Sequence, residues 1–438
     1  MTKSRCLLML TALLLASCAQ QDGRVASAPV NASPGACATP DELNLPPGFC
    51  ATVFADDIGS ARHIAVRDNG DVYVSLRGEK GVVVALRDST GDGVADETAR
   101  FGRRGGTGIA VTDGHLYLAS PLSIVRYPFD GNALVPLDDE ELIVGGFNAQ
   151  GAHASKTVVF DNKGGLLTNI GVPSNACQKP QRTPGVAGQD PCPELEQHGG
   201  VWRFDADRVG QDAYSDGERY ATGIRNAIAQ DWHPAFGKLY VVQHGRDQLS
   251  ELWPKTFSQA QRIELPAEEF FDVERGDDFG WPYCYYDPFK RQKLLGPEYG
   301  GDGETVGRCA EFKDPLVAFP AHWAPNDLHF YRGRHFPARY RHGAFVAFHG
   351  SWNRAPEAQR GYNVAFVPMR NGAVVAPDES GFEVFADGFA HTDYVRSPGD
   401  ARYRPTGIAE SPEGHLYISD SRKGRIWRIE YLTPAEAD

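Results

Sequence analysis

Apolar and polar residues alternate along this chain in short bursts that recur with the same grammar. A short apolar run (Ile64–Val66, Ile109–Val111 or Ile408–Ala409) leads into a turn: Asp68-Asn69-Gly70, Thr112-Asp113-Gly114, or Ser411 to Gly414. A second burst follows, as Asp71-Val72-Tyr73-Val74-Ser75, His115-Leu116-Tyr117-Leu118-Ala119 and His415-Leu416-Tyr417-Ile418-Ser419. Period-two alternation predicts strands, and Asn-Gly or Asp-Gly tolerates the positive φ that tight hairpins need. A third strand closes each unit, as in Arg425–Tyr431, where Trp427, Ile429 and Tyr431 share one face. Looser copies occupy Thr157–Thr168 with Gly199–Asp205, then Asn226–Trp253 and Leu328–Pro368. Repeated antiparallel meanders of this length predict an all-β, six-bladed β-propeller. Gly48–Phe54 alternates well enough to supply the outer strand of the last blade. The insertion holding Cys177 and Cys192, and the stretch 254–322 holding Cys284 and Cys309, read as excursions on the ring. A β-sandwich fits the strands but not their recurrence.

A propeller turns repetition into chemistry. The inner strands line a central channel, so the residues just ahead of them converge at one mouth. Those positions hold Arg62, His63, Thr107, His153, Arg225, Asn226, Asn326, Arg402 and Arg404. Cations gathered at one rim repel unless a partner compensates them. The planar fork of arginine suits carboxylates, so an anionic ligand is expected. The bland alternative pairs each arginine with a local Asp or Glu, and makes His153 a hydrogen-bonded structural residue.

The net charge of −13 excludes nucleic acid and anionic membrane surfaces as natural partners. Lys3 and Arg5 precede the apolar run Leu7–Ala16, which is too short to span a bilayer and fits a secretory signal over 1–17. Leu15-Ala16-Ser17-Cys18 has the form of a lipoprotein cleavage site, with Cys18 carrying the lipid; plain export with an incidental cysteine is the alternative. Residues 18–40 read as a flexible tether and 41–432 as the propeller. Six further cysteines in an exported chain suggest disulfides, with neighbours in sequence coupled as Cys37–Cys50, Cys177–Cys192 and Cys284–Cys309. Zinc is the competitor, but no Cys-x-x-Cys or His-x-x-x-His spacing supports it. Asp88 to Asp96 resembles an EF-hand loop at Asp88, Asp92 and Gly93, yet Ala99 stands where the bidentate Glu belongs, so a glycine-rich turn is favoured.

Several motifs have a family likeness: Gly151-Ala152-His153-Ala154-Ser155, Gly223-Ile224-Arg225-Asn226, Gln243-His244-Gly245-Arg246-Asp247, Phe279-Gly280-Trp281-Pro282, His349-Gly350-Ser351-Trp352-Asn353-Arg354 and Arg402-Tyr403-Arg404. In their order and blade placement the chain, from Leu45 to Tyr431, resembles the glucose/sorbosone dehydrogenases, and most closely the L-sorbosone branch. These are six-bladed propellers that use pyrroloquinoline quinone (PQQ) and calcium. The resemblance implies that His153 is the general base, that Arg225 and Asn226 hold the quinone oxygens, and that Arg402 and Arg404 grip the cofactor carboxylates. It places calcium on the backbone carbonyls of Gly245 and Arg246. Thr107 stands where the family has a Gln against the quinone, Arg354 is the nearest cation to its cofactor lysine, and Ala152 replaces an Asp. His322, Trp323 and Asn326 are expected at a substrate mouth that suits an aldose or sugar aldehyde. The chain is thus expected to be a PQQ- and calcium-dependent dehydrogenase of the cell envelope, facing the periplasm or exterior, with an unknown electron acceptor. A non-catalytic ligand-binding propeller and a calcium-dependent lactonase-type hydrolase are the rivals; the hydrolase needs acidic side chains around its metal, whereas this rim is basic.

Overall fold

A computed structural model describes residues 43–78, 82–112, 114–375 and 378–432. The expected signal peptide, Cys18, the tether and Cys37 lie outside the described residues. Six four-stranded antiparallel meanders stand around one axis, the second extended by the short strand Gln211–Asp212. Their inner strands are Ala61–Val66, Gly108–Thr112, Val159–Phe160, Ala229–His233, Pro325–Phe330 and Pro405–Glu410. The ring closes as expected: Phe49–Ala55 pairs antiparallel with Ile426–Tyr431, so the first strand completes the last blade. One expectation changes. The stretch 254–322 is not wholly an excursion, because Glu268–Val273 and Val317–Phe319 are the third and fourth strands of the fourth blade. The short helix Gln259–Glu264, opened by a capping box between Ser258 and Gln261, lies between its second and third strands.

Alternation decides which neighbour each side chain meets. In Val83–Arg87 of the first blade, Val84 and Leu86 pack toward the last blade, while Val83 and Ala85 pack toward the second. In Ala344–Phe348 of the fifth blade, Phe345 and Ala347 face the sixth, and Ala344, Val346 and Phe348 face the fourth. Six apolar clusters fill the six gaps between blades, so the core is a ring of interfaces. At the hub the strands approach closely. A Cβ added to Gly407 would lie 2.5 Å from the Arg62 carbonyl oxygen, which is why that position carries none. Polar side chains stitch the hub: Ser75 Oγ donates to Thr107 O, Gln230 Nε2 to Thr157 Oγ1, and Asp327 Oδ2 accepts from Ile408 N.

Two of the expected disulfides are present, Cys177–Cys192 and Cys284–Cys309. Cys50 is also disulfide-bonded. Asp88 accepts from the amides of Gly91, Asp92 and Gly93, so its oxygens shape a turn, in line with the glycine-rich reading. No helix among the described residues is long and apolar enough to cross a membrane.

Trp427 is fully buried and takes edge contacts from Phe389 and Tyr403, each at 5.1 Å between centroids. Trp427→Ala is expected to destabilise the ring by about 3–5 kcal/mol, read as a lower denaturant midpoint at unchanged m-value.

Candidate active site

The loop ahead of the third blade is built around Gln150. Its amide donates to the carbonyls of Ala152, His153 and Gly171 at 2.9, 2.9 and 3.0 Å, which fixes the loop while His153 adopts φ 50°. Gly171 makes room: a Cβ there would stand 2.6 Å from that of His153. His153 Nδ1 lies 2.8 Å from the Val172 carbonyl oxygen. A carbonyl only accepts, so Nδ1 carries the proton and Nε2 keeps its lone pair. Burial and the nearby Arg225 push this imidazole down to about 3. It is neutral at physiological pH.

Arg225, 3% exposed, is held from several sides. Nη1 donates to Gly245 O at 2.8 Å, and Nη2 reaches Asn175 Oδ1 and Asp247 Oδ2, both at 3.1 Å. Asp247 also accepts from Arg182 at 2.9 Å and from Asn353 Nδ2 at 3.0 Å. Burial opposes its ionisation, but Arg225, His322 and Arg182 together hold the carboxylate below its usual range. Asn226 Nδ2 lies 3.3 Å from His244 Nδ1, while its Oδ1 is buried without a partner. Arg404 donates to the carbonyls of His349 and Gly350 at 2.8 and 3.0 Å and lies 5.7 Å over the Tyr362 ring.

Arg62 is the odd member. It is 7% exposed, and its guanidinium makes no hydrogen bond or ion pair among the described residues; Nε is a buried orphan. Burial, Arg77 and Arg404 depress it to about 10, with Asp327 offsetting only part. It remains charged at neutral pH. His244, down to about 4, and His349, also pushed well below the ordinary imidazole value, are neutralised by burial and by the surrounding arginines. Glu268 accepts from Gly245 N at 2.7 Å and Ala324 N at 3.1 Å, and burial raises it to about 8. It is therefore mostly protonated at neutral pH and adds little negative charge.

The rim expected from the repeat is thus assembled for Arg62, His153, Arg225, Asn226 and Arg404, which are joined directly or through the electrostatic contacts above. Other expected residues stand elsewhere. Thr107 is buried in the hub, donating to Ser155 Oγ at 3.0 Å. Arg402 is exposed over the Tyr403 ring. Arg354 is committed to Ile263 O, Glu264 and Ala358 O, a buried structural knot on the short helix that stands in for no cofactor lysine. Asn326 is part of the hub, bonded to Thr406 and His63. His322 is the exception: its ring is within electrostatic reach of Asp247, with Nε2 against the Arg262 carbonyl, whereas Trp323 packs on Phe348 and Phe382. Sequence reasoning missed Asn175, Arg182 and Asn353 as supports of the Arg225–Asp247 pair. The first two lie in the disulfide-bonded insertion, where no repeat marks their position.

A buried, unpaired Arg62 beside Arg404, linked to Arg225 through His244, fits a multiply anionic ligand, and the open His153 Nε2 fits a proton acceptor. Calcium on the Gly245 and Arg246 carbonyls is disfavoured by charge, because the Arg225 guanidinium already donates to Gly245 O at 2.8 Å and would repel a second cation there. Among the described residues, three His, Cys, Asp or Glu ligands cluster only at Cys177, Cys192 and Glu194, and those cysteines are joined to each other.

The model of a family described as TrAA12-like matches residues 43–432. A "pyrroloquinoline quinone-dependent pyranose dehydrogenase" of Coprinopsis cinerea is 23% identical over 436 residues, covering 91% of this chain and 56% of that protein. An uncharacterized protein of Borreliella burgdorferi is 29% identical over 214 residues, 49% of each chain. The chain thus spans about half the length of these curated relatives. Among solved structures, the holo form of the Coprinopsis cinerea pyranose dehydrogenase PQQ domain superposes with a TM-score of 0.72 at 19% identity, over 90% of this chain and 99% of that one. A calcium structure of the Trichoderma reesei family AA12 protein gives 0.73 at 17%, over 91% and 99%. The PQQ-bound aldose sugar dehydrogenase of Streptomyces coelicolor gives 0.53 at 16%, over 88% and 99%. At these identities the superpositions show a shared propeller fold.

The imidazoles set a pH limit on stability. His63, His153 and His244 stay neutral in the fold down to about 3, 3 and 4, whereas unfolded histidine takes up a proton near 6.5. The unfolded state therefore binds more protons as pH falls, and stability is lost between about pH 6.5 and 4. Glu268 acts in the opposite sense, its contribution fading as pH rises toward 8. Thermal melts are expected to show an acid limb below pH 6.5 that survives Glu268→Gln, with the alkaline limb reduced in that variant.

Proposed function

The chain belongs to the TrAA12-like family, and from that premise we propose that it oxidises an aldose or sugar aldehyde with PQQ in the cell envelope, held there by a lipid on Cys18. The observation that carries the reading is the buried, unpaired Arg62 beside Arg404, joined through His244 to Arg225 and to a neutral His153 with a free Nε2. PQQ, when bound, supplies the two-electron acceptor for the hydride leaving the substrate carbon. The chain supplies the rest. Arg62 and Arg404 hold anionic groups. Arg225 is a fixed cation, pinned by Asp247 and Asn175, that favours negative charge developing nearby. His153 Nε2 takes the proton of the substrate hydroxyl as the carbon becomes a carbonyl. Its Nδ1–H stays on Val172 throughout, so the ring does not turn. The resulting imidazolium is favoured by Asp247 and opposed by Arg225.

The hydrolase reading has no side-chain metal cluster at this mouth among the described residues. The Arg225 guanidinium at Gly245 O would repel a metal ion there, so no step is assigned to a metal.

Purified apoprotein is expected to bind PQQ and then reduce an artificial acceptor with aldoses. His153→Ala is expected to keep PQQ affinity within about threefold and to lose at least about a hundredfold in kcat. Absence of PQQ binding by calorimetry overturns the reading, and wild-type turnover by His153→Ala overturns the assigned base. A separate titration addresses the metal. PQQ affinity in EDTA is expected to match that in calcium, because the Arg225 guanidinium already supplies positive charge at Gly245 O; a tenfold or greater loss in EDTA would show instead that calcium takes part in binding.

A further inference from the structure

A cleft adjoins the rim at Tyr362, whose ring lies against Arg404. It lies between the segment 349–362, which links the second and third strands of the fifth blade, and the segment 387–404, which crosses to the sixth. These same segments carry His349, Gly350 and Arg404, so cleft and rim share a face. Tyr362 joins them: it lines the cleft and lies beneath Arg404. The cleft has a volume of about 700 Å³, within the range of small-molecule sites.

Two of its lining side chains are unpaired. Trp323 Nε1 and Asn363 Oδ1 are buried with no hydrogen-bond partner, at 9% and 6% residue exposure. One is a donor, the other an acceptor. A buried polar atom left unpaired costs free energy that a ligand group of the opposite kind recovers. The charges around them are mixed, Arg360 against Asp387 and Asp393, and their one-unit negative excess disfavours an anionic ligand. Aromatic rings, an orphan donor, an orphan acceptor and charges of both signs with no cationic excess together describe a site for a neutral polyhydroxylated ligand.

The geometry points to a saccharide subsite in this cleft, bounded by Trp323, Tyr362, Asn363 and Arg360, which holds the distal sugars of an oligosaccharide whose terminal residue is oxidised at His153. The choice of saccharide rests on the dehydrogenase reading; the existence of the site rests on the two orphans and the cleft. Trp323 thus enters substrate recognition from behind the rim, through its indole N–H, rather than at the mouth where the sequence suggested it.

The test uses apoprotein without PQQ, titrated calorimetrically with maltotriose, cellotriose, xylotriose and, as a monosaccharide, glucose. At least one trisaccharide is expected to bind more tightly than glucose. Asn363→Leu and the surface substitution Arg360→Ala are each expected to weaken that binding about fivefold, the worth of one hydrogen bond. Failure of all three trisaccharides to bind at about 20 mM overturns the proposal, as does unweakened binding by a folded Arg360→Ala together with a folded Asn363→Leu. PQQ affinity and dye reduction with glucose, measured in parallel, report on the dehydrogenase reading alone. If they fail while trisaccharide binding persists, that reading falls and the cleft stands.

Discussion

A guanidinium is costly to bury without an anion, and the ring buries one at the seam between its first and last blades. Arg62 stands where Ala61–Val66 meets Pro405–Glu410, close enough that Gly407 has no space for a side chain. Arg404 and Arg77 repel it, and the one carboxylate that offsets them, Asp327, is itself pushed toward its neutral form by burial. Removing a charge from water without a partner costs several kcal/mol. The rest of the mouth is arranged around that excess. Histidines 153, 244 and 349 stay neutral, Glu268 keeps its proton, and Asp247 is the carboxylate held ionised, already shared by Arg225 and Arg182. A basic, desolvated chamber in an acidic chain is stable as a receptor for a multiply negative ligand.

The fold supports that chamber by sharing its core among six interfaces. No single sheet could hold Arg225, Arg404 and His153 near one another, because they come from the third, fourth and sixth blades and the links between them. Each side chain is fixed by a backbone carbonyl of its own neighbourhood: Val172 for His153, Gly245 for Arg225, His349 and Gly350 for Arg404. Carbonyls bind by position, whatever the residue type, so the scaffold presents fixed cations and a fixed lone pair before any ligand arrives. That is the condition for stabilising charge that appears only during reaction.

Much of this was legible in the sequence, for a physical reason. Period-two alternation and Asn-Gly or Asp-Gly turns are local signals, and a propeller converts them into global geometry, so Arg62, His153, Arg225 and Arg404 could be placed at one rim. The fourth blade was less legible because its third and fourth strands are interrupted by 43 residues, 274–316, that obscure the repeat. Thr107 precedes its inner strand as Arg404 does, and Asn326 stands at the start of Pro325–Phe330, yet both are held in the hub; position at the entry of a strand fixes the end of the channel, not the direction of the side chain. Arg354 illustrates the other loss: a cation in the right motif, spent on Glu264 and carbonyl oxygens of the short helix. Asn175 and Arg182 carry no period and were invisible until the insertion folded back on the mouth.

The account stands on the claim that Arg62 is held against its own stability for the sake of an anionic cofactor. Thermal melts of the wild type and Arg62→Gln, each with and without PQQ, address it directly. The account predicts that Arg62→Gln melts higher than the wild type as apoprotein and gains less from PQQ than the wild type does. An Arg62→Gln protein that melts lower without PQQ, yet gains as much from it as the wild type, would contradict the account.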